Sequence, residues 1–204
     1  MNKTAPDFSI EQLSIDNGLS VIAGVDEVGR GPLCGPVTAA AVILDPANIP
    51  DGLNDSKKLT TKRREVLYDI LLGCAQVSIA HASVEEIDEL NILRASHLAM
   101  ERAVAGLARK PDHVLIDGNM IPRGLDISAQ AVIKGDAKSV SISAASIVAK
   151  ICRDRLMVDL AQQYPGYGWE KNAGYPTAVH LKALQQLGVT PHHRRSFKPV
   201  YKML

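Results

Sequence analysis

The apolar positions of this chain cluster into short runs that acids, glycines or prolines close. Val21–Val25 (VIAGV) and Val37–Leu44 (VTAAAVIL) are brief and bounded by Gly or Pro, the pattern of strands buried on both faces. Gln76–Ala82, His113–Ile116 and Ile127–Lys134 supply three more candidate strands. Helical patterns lie between them. Residues 60–73 predict a helix closed by Gly73. Ser83-x-x-Glu86 is a capping box, and helical character is expected to run on through 90–109. Residues 139–163 carry the longest amphipathic pattern and 177–187 a shorter one. Gly29, Gly31, Pro32, Gly35 and Pro36 punctuate a loop between the first two strands. Five strands interleaved with helices predict an α/β domain followed by a small helical tail.

Composition narrows the class. The chain has 204 residues, 46% of them hydrophobic, enough for one sizeable core. The net charge of +1 names no partner, but it hides an asymmetry. Residues 1–149 hold 14 basic and 19 acidic side chains, net −5, while residues 150–204 hold 9 and 3, net +6. Such halves suggest cation binding in one and polyanion binding in the other, or simply charge drifting by chance along short segments. Aromatics at 4% disfavour a single-strand binder built on stacked rings. Cys34, Cys74 and Cys152 are widely spaced and odd in number, which argues against a disulfide framework or a structural zinc site. An N-terminus with early acids and no apolar centre argues against a secretory leader. No apolar run reaches the length of a membrane span. A soluble, cytoplasmic, monomeric protein is the default expectation.

The candidate chemistry sits at strand ends. Asp26 and Glu27 follow one apolar run, Asp117 ends VLID, and Asp136 follows AVIKG. Ligands of α/β sheets bind outside strand ends, so acids at several ends can converge. Converging carboxylates raise one another's pKa unless a cation lies between them. Oxygen donors without His or Cys suit Mg²⁺ or Mn²⁺. Singly, each Asp also reads as an ordinary turn or cap residue. Adjacent strand residues point to opposite faces, so Asp26 and Glu27 are expected to share a site only if the strand is ending and Glu27 reaches around.

The segment DEVGRGPLCGPV (Asp26–Val37) is followed by DSKKL (Asp55–Leu59), LIDG (Leu115–Gly118), KGDAKSVSISAASIVAKICRDR (Lys134–Arg155), GYPT (Gly174–Thr177) and HRRSFKPV (His193–Val200). In this order and at this spacing the chain resembles bacterial ribonuclease HII from about Val21 to Val200. The resemblance implies a ribonuclease H-like fold: a five-stranded mixed sheet flanked by helices, with a C-terminal helical extension. It implies a catalytic domain over 20–163, a nucleic-acid-contacting extension over 164–204, and no assigned role for 1–19. It implies cleavage of RNA in RNA/DNA hybrids and at single ribonucleotides embedded in duplex DNA. The four catalytic, metal-holding carboxylates fall on Asp26, Glu27, Asp117 and Asp136, the readers of the ribose 2′-OH on Gly29, Arg30 and Gly31, and the junction-sensing tyrosine on Tyr175. Cys34 stands where a smaller residue is expected, and Ala173 where a lysine is expected.

Two Mg²⁺ or Mn²⁺ ions about 3.5–4 Å apart are the expected cofactors, activating water and stabilising the departing 3′-oxygen. Such chemistry leaves 5′-phosphate and 3′-hydroxyl ends. Lys57, Lys58, Lys134, Lys138, Lys150, Arg153, Arg155, Arg194 and Arg195 are candidate phosphate contacts. Ser143, Ser146 and Lys150 share one helix face, which either lines the nucleic-acid groove or packs against a neighbour. Asp154 between Arg153 and Arg155 reads as a structural ion pair. The histidines form no pair near the acids in sequence; a phosphate-facing role for His192-His193 and a solvated basic surface are both open. A DNA junction resolvase of similar fold and a noncatalytic nucleic-acid-binding module are the rival readings. No protein-partner motif stands out.

Overall fold

The computed structural model describes residues 5–204. Five strands form one mixed sheet: β1 (Ile22–Val28), β2 (Val37–Ile43), β3 (Gln76–Ala82), β4 (His113–Asp117) and β5 (Ser128–Val132), in the spatial order β3-β2-β1-β4-β5. β1, β2 and β3 pair antiparallel, whereas β4 lies parallel to both β1 and β5. The helices are α1 (Ser9–Asp16), α2 (Thr61–Cys74), α3 (Val84–Leu90), α4 (Ile92–Ala105), α5 (Val140–Gln163), α6 (Trp169–Asn172), α7 (Ala178–Leu187) and α8 (Lys198–Tyr201).

The period-2 alternation of the strands sorts the core into two layers. Ala23 and Val25 of β1, with Ala39 and Ala41 of β2 and Ile116 of β4, pack against Ile87 of α3 and Ala95, Ala99 and Met100 of α4. On the opposite face Ala40 and Val42 of β2 meet Leu67 and Leu71 of α2 and the start of α5. Every residue of Val140–Ala149 is buried, so this half of α5 is covered on all sides and is not the amphipathic surface helix its pattern suggests. A Cβ on Gly24 would overlap the backbone of Ser141 and Ile142, so the first turn of α5 lies directly on β1.

Several boundaries move. β1 does not stop at Val25 but runs through Asp26 and Glu27 to Val28. β5 is shorter than Ile127–Lys134, because Ile133 is exposed and Lys134 takes a left-handed φ of 56° into a 3-10 turn over Gly135–Ala137. The helical run expected to continue from the Ser83 capping box through 109 is two helices. Asn91, at φ 71°, ends α3 and caps α4, its Oδ1 accepting from the Leu93 and Arg94 amides. Gly73 does not close α2, which continues to Cys74. The Ser83–Glu86 capping box forms as expected.

Residues 5–19, given no role by the sequence, form α1 and strap the turn before α5. Asp7 exchanges backbone hydrogen bonds with Lys138 and Val140 at 3.2 Å each. Glu11 is fully buried, and its Oε1 accepts from Ser139 Oγ at 2.5 Å and the Ser141 amide at 2.9 Å, at the exposed-donor end of α5. At the other end of α5, Met157 and Leu160 pack with Tyr167, Trp169 and Ala183, and with Cys34 of the loop between β1 and β2. Leu33 of that loop packs with Leu184 and Val200. No helix among the described residues is long and apolar enough to cross a membrane.

Candidate active site

Asp26 and Glu27 lie opposite Ala40 and Ala39 of β2, small partners that leave the strand end uncrowded. Asp26 is two residues beyond Gly24 and shares its α5 face; Glu27 is two beyond Val25 and shares the α4 face. The two acids therefore do not share a site through a strand that ends and bends, as expected from sequence. They lie on opposite faces of a continuing strand, and the neighbouring Asp117, at the C-terminal end of parallel β4, interacts with both. Asp117 Oδ1 accepts from the Gly135 amide at 2.7 Å, which ties β4 to the turn carrying Asp136.

The four acids repel one another. Burial, then Glu27 and Asp117, push the Asp26 carboxyl well above the usual carboxylate range. Burial raises Glu27 as well, against the pull of Arg30, whose Nη1 stands 3.3 Å from its Oε1. Asp136 is raised by burial, then by Asp117 and Asp55. Among the described residues, no three His, Cys, Asp or Glu side chains already enclose a point as metal ligands would. The donor set is nonetheless all carboxylate oxygen, which fits hard divalent cations and not zinc. On the α4 side, Glu27, Arg30 and Asp117 line a cleft of about 310 Å³ together with His97, Met100 and Asn119.

Two groups of this neighbourhood were not singled out from sequence or were given another place. Asp55 is a fifth acid beside Asp136; its presence in the DSKKL motif was the available signal. Lys57, expected to meet phosphate, looks onto the acids: burial works to lower its pKa, but Asp26, Asp55, Asp136 and Asp117 outweigh that and raise it.

The Gly29–Gly31 loop leaves β1 beside these acids. Gly29 has φ 97°, and a Cβ there would strike the Arg153 side chain, so glycine is needed twice over. Tyr175 is 45% exposed and its ring lies so close to Gly31 that a Cβ would sit 3.2 Å from Cε1. The loop and the tyrosine thus form one surface. The carbonyl of Tyr175 accepts from His180 Nδ1 at 2.9 Å. His180 Nε2 in turn meets Trp169 Nε1 at 3.0 Å and His193 Nε2 at 3.2 Å. His193 is therefore buried in an aromatic cluster and is neither a solvated nor a phosphate-facing residue; burial and the neighbouring histidines push its pKa down to about 4.

Other expected contacts sort unequally. Lys58, Lys134 and Arg195 are exposed, as a phosphate contact requires. Lys150 Nζ is bound to Asp154 at 2.7 Å, so the Asp154 ion pair runs to lysine and to neither flanking arginine. Arg155 stacks instead on Tyr68, at 4.7 Å. Ser143 and Ser146 are buried, Ser146 Oγ bonding Ser56 Oγ at 2.8 Å, so they pack the interior and line no groove. Arg194 is not a phosphate contact either. It is fully buried and spends its donors on backbone carbonyls, while burial and the nearby Arg153 push its pKa down to about 9, still protonated at neutral pH. The smaller residue expected at Cys34 is not needed: its side chain is buried against Gly174, and burial pushes the thiol up to about 12 against the pull of Arg153 and Arg194. Ala173 holds a left-handed φ of 48° and offers its carbonyl to Arg153.

Comparison with known proteins agrees with this architecture. The ribonuclease HII family profile matches residues 23–200. A ribonuclease HII of Ruegeria pomeroyi is 73% identical over 201 residues, covering 98% of this chain and 86% of that one. The crystal structure of ribonuclease H2 from Pyrococcus horikoshii superposes with a TM-score of 0.75 at 30% identity, covering 90% of this chain and 97% of the other. Bst-RNase HIII, solved in complex with Mn²⁺, shares the fold with a TM-score of 0.75 at 18% identity, over 100% of this chain and 75% of that one. The fold together with these relatives marks an α/β endoribonuclease of the ribonuclease H type. The chain belongs to the ribonuclease HII family.

Proposed function

We propose that the protein hydrolyses the RNA strand of RNA/DNA hybrids and nicks duplex DNA on the 5′ side of single embedded ribonucleotides, leaving 5′-phosphate and 3′-hydroxyl ends. The observation that carries this reading is the juxtaposition of four mutually repelling carboxylates with a glycine loop whose neighbour is a half-exposed tyrosine ring. Asp26, Glu27, Asp117 and Asp136 would hold divalent ions, Mg²⁺ or Mn²⁺, and the raised carboxyls of Asp26, Glu27 and Asp136 report the charge such ions would neutralise. Two ions bound there would supply an activated water and stabilise charge on the departing 3′-oxygen.

The chain's own groups position the substrate. Backbone groups of Gly29, Arg30 and Gly31 read the ribose 2′-OH at short range, because glycine lets a sugar approach. Tyr175 packs its ring against the sugar at the ribose–deoxyribose junction and offers its hydroxyl to the same 2′-OH. Lys57, whose charge the neighbouring acids hold, would follow the scissile phosphate, while Lys58, Lys134 and Arg195, all exposed, would anchor flanking phosphates. The test is a labelled duplex containing one ribonucleotide, incubated with Mg²⁺, beside an all-DNA duplex of the same sequence. One nick at the ribonucleotide, lost on chelation, is expected. Equal cleavage of the all-DNA duplex would overturn the reading in favour of a DNA nuclease.

A further inference from the structure

Among the described residues, two of the most deeply buried side chains are arginines that meet no carboxylate. Arg153 lies within α5 and Arg194 between α7 and α8, at 1% and 0% exposure. A buried cation without an anion is costly unless its donors are met. Carbonyls meet them here. Arg194 donates through Nε to Gly35 O at 2.9 Å, through Nη1 to Arg30 O at 3.1 Å and Pro32 O at 2.8 Å, and through Nη2 to Gly29 O at 2.6 Å. Its own amide takes Leu33 O at 2.8 Å. Arg153 takes Pro36 O and Cys34 O, each at 3.1 Å, and reaches across to Ala173 O at 3.0 Å. Between them these two residues hold every carbonyl from Gly29 to Pro36 except that of Gly31.

This pattern fixes the directions of the peptide groups. In a planar trans peptide the C=O of one residue and the N–H of the next point opposite ways. With the carbonyls of Gly29 and Arg30 turned onto Arg194, the amides of Arg30 and Gly31 turn away from it, in the loop whose Gly31 has the Tyr175 ring beside it. Arg153 adds the second coordinate, because Ala173 leads through Gly174 into Tyr175. We infer that Arg194 and Arg153 are positioning residues for ribose recognition, aiming the Arg30 and Gly31 amides as donors and fixing Tyr175 beside them. The inference rests on the reading that the 29–31 loop and Tyr175 meet the 2′-OH. Neither guanidinium touches the substrate.

Lysine keeps the charge and much of the volume but lacks the planar fork, so it cannot hold four carbonyls at once. The experiment compares wild type, Arg194→Lys and Arg153→Lys by kcat/KM on a one-ribonucleotide duplex and by the inhibition constant of an all-DNA duplex, which carries no 2′-OH. Circular dichroism reads folding. In folded variants kcat/KM is expected to fall about tenfold or more, the scale of one or two lost polar contacts, while the inhibition constant stays within about threefold. A purely structural arginine would alter folding and both constants alike. Should Arg194→Lys not fold, Arg153→Lys carries the test, since it leaves all contacts of Arg194 in place. Folded variants that keep kcat/KM, or that lose both affinities equally, overturn the proposal. Tyr175→Ala distinguishes the two levels: if it changes ribose preference and the arginine variants do not, the positioning claim alone fails. If none of them changes it, the assignment of the readers fails, and the proposal with it.

Discussion

Glu11→Ala tests how the N-terminal strap supports the site. Oε1 of this fully buried side chain accepts from Ser139 Oγ and the Ser141 amide, where the 24-residue helix α5 begins. Alanine leaves both donors without an acceptor in a closed environment. Each unmet buried donor costs about 1–3 kcal/mol, and the lost negative charge at a helix N-terminus adds about 0.3–1 kcal/mol. The sum is about 2–7 kcal/mol. In a domain of this size each kcal/mol moves the thermal midpoint by about 2–4 °C, so a fall of about 4–28 °C is expected. Glu11→Gln keeps an acceptor oxygen in place and loses only the charge, so its expected fall is about 2–4 °C, near 1 kcal/mol. Thermal unfolding followed by circular dichroism, with all three proteins in one buffer, reads the series. A Glu11→Ala midpoint within about 2 °C of wild type, or a Gln variant as damaged as the Ala variant, would refute the reasoning.

Three further outcomes follow from the same structure. Gly24→Ala forces α5 off β1, because the new Cβ overlaps backbone and not a movable side chain, and a loss of about 3 kcal/mol is expected by calorimetry; a neutral effect would show that the helix slides freely. The stabilisation by Mg²⁺ should grow as pH rises above the ordinary carboxylate range: carboxyls raised in the fold hold protons that the unfolded chain has released, so the ion-free protein loses stability as pH rises through their folded pKa values, and the ion removes that loss. His193 acts in the opposite sense, its stability lost as pH falls from its ordinary 6.5 toward about 4, but it cancels in the difference between midpoints with and without ion; a pH-independent difference would contradict the account. Arg195→Ala should weaken binding of every duplex sequence alike and reduce the slope of log K against log salt by about 1, and an unchanged slope would place Arg195 off the binding path.

The sequence revealed elements whose cause is local, and concealed those whose cause is distant. VIAGV and HVLID carry their own strand pattern, and Ser83 with Glu86 closes a capping box within four residues. The break at Asn91 was hidden because helical periodicity continues across it, while Asn tolerates the left-handed conformation that stops one helix and caps the next. The acids were legible because carboxylates at apolar strand ends are conspicuous, but their faces were not. That β1 continues past them is set by pairing with β2, not by the residues themselves. Arg194 and Arg195 look alike in HRRSF, yet one finds carbonyls of residues 29–35 and the other faces solvent. Nothing in a charge pattern distinguishes a guanidinium destined for the interior. Ser143 and Ser146 misled for the complementary reason: small polar side chains that suit a groove also suit a helix buried on all sides.

The central claim is that the four carboxylates act together in cleavage, and Asp26→Asn tests it most directly. The amide is nearly isosteric with the carboxylate and still accepts from the Glu27 amide, which Asp26 Oδ1 now holds at 2.7 Å, so the fold is preserved while a metal-positioning charge is removed. Single-turnover cleavage of a one-ribonucleotide duplex in Mg²⁺, measured alongside duplex affinity, is the measurement. The account predicts a rate loss of several orders of magnitude, about 1.4 kcal/mol for each tenfold, with affinity nearly unchanged. A variant cleaving within about threefold of wild type would contradict it, because Asp26 would then lie outside the chemistry that its burial beside Glu27, Asp117 and Asp136 implies.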